Sequence, residues 1–172
     1  AQDINNLGEV VGFSDVTGDT TSHAFLWRNG VISDLGTLPG DVSSSAEGIN
    51  NLGQVTGYSC DADGNCRAFL WQNGTMTDLN TLLSPNASLY LEFAFFINDS
   101  GEIVGQAYQQ STNELLPFVA IPGRSGGTSE AASSAAQLNA IPKVTLPENV
   151  RKLAQQRAAR GRLGGVLNVR PQ

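Results

Sequence analysis

The stretch Ile49-Asn50-Asn51-Leu52-Gly53-Gln54-Val55-Thr56-Gly57 decides the fold, because it has a counterpart on either side. Ile4-Asn5-Asn6-Leu7-Gly8-Glu9-Val10-Val11-Gly12 precedes it and Ile97-Asn98-Asp99-Ser100-Gly101-Glu102-Ile103-Val104-Gly105 follows, at spacings of 45 and 48 residues. A second block recurs at matching offset. It reads His23-Ala24-Phe25-Leu26-Trp27-Arg28-Asn29-Gly30, then Arg67-Ala68-Phe69-Leu70-Trp71-Gln72-Asn73-Gly74, then the degraded Leu116-Pro117-Phe118-Val119-Ala120. Periods of roughly 40 to 50 residues with several turns inside each mark blade-like or solenoid-like repeats, in which every unit buries its face by stacking on the next.

Turn chemistry places strands within a unit. Asn50-Asn51-Leu52-Gly53 joins a strand ending near Ile49 to one running from Gln54 to about Tyr58, since Asn and Gly tolerate the positive φ of tight turns. Arg67 to Trp71 forms a third strand, and the hairpin signal Asn73-Gly74 leads into a fourth, Thr75 to Leu79. The expected fold is all-β, a propeller-like repeat of four-stranded antiparallel blades, with the recurring Ile, Phe and Trp as inter-blade core. The third unit lacks a counterpart of Asp34-Leu35, so the chain holds just under three blades. Closed propellers have about four to eight. Exposed sheet edges therefore predict self-association.

Nineteen Gly and seven Pro in 172 residues, with 40% hydrophobic and 15% charged content, suit one turn-rich domain and exclude a helical bundle. The sequence has neither an apolar run near the roughly 18 residues of a membrane helix nor a charged-then-apolar leader, so a soluble chain with no membrane span is expected. Charge is divided unevenly. Residues 1–123 carry fourteen Asp and Glu against Arg28 and Arg67, a net of −12, whereas residues 124–172 carry eight Lys and Arg against Glu130 and Glu148, a net of +6. The acidic body disfavours nucleic acid and attracts divalent cations.

Three segments follow from composition: a repeat domain over 1–122, a flexible Ser/Gly/Ala-rich linker over 123–142 and a basic tail over 143–172. Pro147, Glu148 and the stop at Gly161 suggest a helix over 147–160. Without aromatic interleaving, that helix reads as a capping or docking segment rather than a DNA-binding one.

The Ile-Asn-Asn-x-Gly-x-Val-x-Gly block, His23-Ala24-Phe25 and Asp34-Leu35-Gly36-Thr37-Leu38-Pro39-Gly40 together resemble the HAF family of probable extracellular repeats, over residues 1 to about 121. The resemblance implies secretion to an extracellular or periplasmic location and blade architecture. The sequence departs from the family's triplet later, where His becomes Arg67 and then Leu116.

Cys60-Asp61-Ala62-Asp63-Gly64-Asn65-Cys66 is the best local candidate for chemistry. Asp61, Asp63 and Asn65 offer hard oxygen donors at alternate positions around Gly64, the logic of a short calcium loop. A polar turn whose Asp and Asn bond their own backbone is the alternative. Cys60 and Cys66 bracket the loop and are expected to form a disulfide, which agrees with an oxidising compartment; two Cys and one distant His do not make a zinc site. His23 is the single histidine, which excludes a multi-histidine dinuclear metallohydrolase. No Gly-x-Ser-x-Gly elbow or phosphate-binding glycine loop occurs.

Two functions follow. The chain is similar to calcium-dependent hydrolases of N-acyl-homoserine lactones, the quorum-quenching type, which implies calcium at Asp61, Asp63 and Asn65, His23 as catalytic base and a small-molecule lactone as substrate. The alternative is a non-catalytic extracellular recognition or surface-binding module, in which the repeats build only a binding face.

Overall fold

The computed structural model describes residues 1–123 apart from 17, 19, 20 and 84–86, together with 148, 149, 151, 152 and 156. Over residues 1–123 the fold is all-β, made of three antiparallel sheets that follow the three sequence units, and the described residues of the tail are helical. The first sheet holds β1 (Asp3–Ile4), β2 (Val10–Asp15), β3 (Ser22–Arg28) and β4 (Val31–Gly36) in that order. The second holds β5 (Ser43–Ile49), β6 (Val55–Cys60), β7 (Cys66–Gln72) and β8 (Thr75–Asp78). The third has three strands, β9 (Leu89–Ile97), β10 (Ile103–Gln109) and β11 (Glu114–Ala120). Most of the linker read over 123–142 and of the tail helix read over 147–160 lies outside the described residues.

The predicted Asn73-Gly74 hairpin forms, and Asn29-Gly30 makes the same turn in the first unit. Asn29 and Gly30 have φ of 52° and 82°, and Asn73 and Gly74 have 51° and 81°, so both central residues are left-handed, as the twist of a two-residue hairpin requires. The fourth strand of the second unit stops one residue short of the expected Leu79. Asp78 accepts a hydrogen bond from the Asn80 amide and starts a 3-10 turn, Leu79–Leu82, which carries Leu79 into the core.

Stacking buries one face of the first sheet, both faces of the second and one face of the third. Val11, Ala24, Leu26, Leu35 and Leu38 of the first unit meet Ala46, Ile49, Val55 and Phe69 of the second in one core. Ala68 and Leu79 of the second meet Leu91, Ala94, Ile103, Ala107 and Phe118 of the third in another. The first strand of each later unit thus lies on the middle strands of the unit before it: β5 on β2 and β3, β9 on β6 and β7. Within the second and third sheets Gly57 and Gly105 permit a close approach to the neighbouring first strand, since a Cβ at either would sit 2.0 Å from a backbone carbonyl, that of Ser45 or Phe93.

The turns after the first strands form a ladder from unit to unit. Asn5, Asn50 and Asn98 each accept two backbone N–H groups of their own turn on Oδ1. Each also donates Nδ2 to the residue four ahead, Glu9, Gln54 or Glu102. The remaining Nδ2 hydrogen crosses to the next unit, from Asn5 to the carbonyl of Asn50 and from Asn50 to that of Asn98, both at 3.0 Å. Alongside, the Asn6 amide donates to Asn51 Oδ1 at 3.0 Å and the Asn51 amide to Asp99 Oδ1 at 2.8 Å. Asn51 Nδ2 also donates to Asp99 Oδ2 at 2.7 Å, and this bond, with that from the amide, holds the Asp99 carboxyl below its ordinary pKa.

Candidate functional site

His23 and Arg67 occupy equivalent places on β3 and β7, two positions before Phe25 and Phe69, which pair with Gly12 and Gly57. Each reaches the carboxylate eleven residues ahead: His23 Nδ1 lies 2.9 Å from Asp34 Oδ2, and Arg67 Nη1 lies 3.0 Å from Asp78 Oδ2. Backbone geometry fixes both acceptors alike, because the amides of Gly36 and Asn80 donate to Asp34 Oδ1 and Asp78 Oδ1 at 2.7 and 2.8 Å. Partial burial works against ionisation of Asp34, but the hydrogen bonds from His23 and Gly36 outweigh it and hold the carboxyl below its ordinary value.

Arg67 does more than His23. Its Nη2 donates to Asp41 Oδ1 at 2.8 Å and to the Pro39 carbonyl at 3.0 Å, both on the segment that leaves the first unit. The guanidinium therefore ties β7 to β8 and the second unit to the first. Burial opposes its charge, yet the Asp41 and Asp78 carboxylates prevail and raise its pKa. Tyr90 lies close enough to feel the same charges: burial, then the Asp78 carboxylate, push its hydroxyl well above the ordinary range, so it stays protonated at neutral pH. Asp41, Asp78 and Tyr90 were not singled out together by sequence reasoning. The signal that could have found the pair is the eleven-residue spacing shared by His23 to Asp34 and Arg67 to Asp78.

Cys60 and Cys66 are directly opposed in the β6–β7 register and joined by a disulfide, with Cα atoms 4.0 Å apart. Inside the loop Asp61 Oδ1 accepts the amides of Asp63 and Asn65 at 2.9 and 3.0 Å, and Asn65 Nδ2 donates to Asp61 Oδ2 at 3.0 Å. Asp61 thus organises an Asx turn, and Asn65 presents an N–H to it rather than an oxygen. A calcium cage needs oxygens converging on one point; here Asp61 accepts from the Asp63 and Asn65 amides, and Asn65 turns its side-chain N–H towards Asp61. His23 stands on β3 of the first unit and the loop on the β6–β7 hairpin of the second, each engaged with its own partners. From the tail, Arg151 Nη1 lies 3.4 Å from the Asp63 carbonyl.

No helix among the described residues is long and apolar enough to cross a membrane. No family model, no curated protein and no solved structure matches the chain.

Proposed function

We propose that this chain is a non-catalytic recognition module of the HAF-repeat type, in which propeller-like stacking of the units builds a binding surface. The exchange of His23 for Arg67 with retention of the carboxylate partner carries the reading. A guanidinium cannot act as a base at physiological pH. A repeat position that accepts either side chain is satisfied by a donor that clamps the following strand. The disulfide supports an extracellular or periplasmic setting, and the acidic body supports a cationic rather than a nucleic-acid partner.

The competing reading is a calcium-dependent hydrolase of N-acyl-homoserine lactones, with His23 as base and Asp61, Asp63 and Asn65 as ligands. A panel of lactones and simple esters, assayed with calcium and with a chelator, separates the two. The module reading expects no hydrolysis above the buffer rate. Chelator-sensitive turnover that is lost in His23→Arg would replace it with the hydrolase.

A further inference from the structure

We propose that a second copy of this chain stacks head to tail on the outer face of the third sheet and continues the asparagine ladder. Register identifies that face. Gly105 pairs with Phe118 as Gly57 pairs with Phe69 and Gly12 with Phe25, so Val104 corresponds to Val11 and Thr56, and Val119 to Leu26 and Leu70. In the first unit the next sheet covers these positions: Val11 is 0% and Leu26 4% exposed. In the third unit Val104 is 39% and Val119 64% exposed, and Phe96, which opposes Val104 across the sheet, is 65% exposed.

The first sheet shows the complementary surface. Ile4 is 63% exposed where its counterpart Ile49 is 5%, and Ile32 is 65% exposed where Met76 packs into the core. Both faces expose large apolar side chains. The hydrogen-bonding polarity agrees. Asn98 Nδ2 and the Asp99 amide hold the places from which Asn50 and Asn51 reach the next unit, while the Asn5 carbonyl and the Asn6 side chain hold the accepting places.

The occupant that fits is therefore another first unit of this chain, with Ile4 and Ile32 laid on Phe96, Val104 and Val119 and the Asn5 carbonyl on the Asn98 amide. Such a contact is heterologous, because the two surfaces differ. It places Ile4 and Ile32 as Ile49 and Met76 are placed in the core between the first and second units.

Sedimentation velocity on the full chain, from low micromolar to several hundred micromolar, tests this together with Val119→Asp and Ile4→Asp. The wild type should associate with rising concentration, and each variant should weaken association at least about tenfold while keeping its β-type circular dichroism. Mixing the two variants should restore a one-to-one complex, because each keeps one intact face. A wild type that stays monomeric throughout overturns the proposal, as does association that neither variant weakens. Unfolding of Val119→Asp with Ile4→Asp unaffected would mean that the chain's own residues beyond 123 cover the face, and would overturn it too.

Discussion

The side-chain amide of Asn50 donates to the backbone carbonyl of Asn98 at 3.0 Å, and Asn5 makes the same bond to Asn50 at the same distance. One residue type thus caps its own turn and fastens it to the next. Asn50 is almost fully buried, so Asn50→Ala removes two amide caps and the cross-unit bond without water to replace them. The expected cost is about 3 kcal/mol in urea denaturation. Asn98→Ala, at an exposed turn, should cost about 1 kcal/mol.

Gly57 tests the close approach of β5 and β6. A Cβ there would lie 2.0 Å from the Ser45 carbonyl and 2.9 Å from the Phe69 ring, so Gly57→Ala must displace backbone. A loss of about 3 kcal/mol or more is expected, read as the denaturation midpoint. Gly74→Ala, with open space but a φ of 81°, should cost only about 1 kcal/mol.

The Cys60–Cys66 bond closes a short loop at the end of a hairpin, which limits the denatured-state entropy it can remove. Thermal unfolding with and without a reductant should differ by about 2 kcal/mol in stability, and thiol labelling of the unreduced protein should find neither cysteine.

Acid should weaken the His23–Asp34 clamp. The folded Asp34 carboxyl lies below its ordinary value of 3.8, so its contribution is present above that pH and is lost as pH falls through the lower folded value. Wild type should therefore be more stable than Asp34→Asn at neutral pH, with the gap closing as pH falls below 3.8. Urea denaturation of both proteins across that range checks the direction.

The three units and their hairpins were legible because Ile, Asn, Gly, Phe and Trp recur at matching offsets, and local turn chemistry supplied the rest. Two features were not. Asn5 and Asn50 read as residues suited to positive φ, yet the left-handed residues of their turns are Gly8 and Gly53, and the amides serve as caps that cross to a neighbour 45 or 48 residues away. Such a contact exists only once the sheets stack. Likewise Asp61 and Asn65 present the same side-chain atoms to a metal or to their own turn, and only the folded loop shows them engaged with each other.

The account rests on position 23 being a clamp rather than a base, and the denaturation midpoint of His23→Arg set against His23→Ala tests this most directly. Arg should hold Asp34 as Arg67 holds Asp78 and leave the midpoint close to wild type, while Ala should lose up to about 1 kcal/mol. If Arg destabilises as much as Ala, the two positions are not equivalent and the reading of His23 as a structural clamp is contradicted.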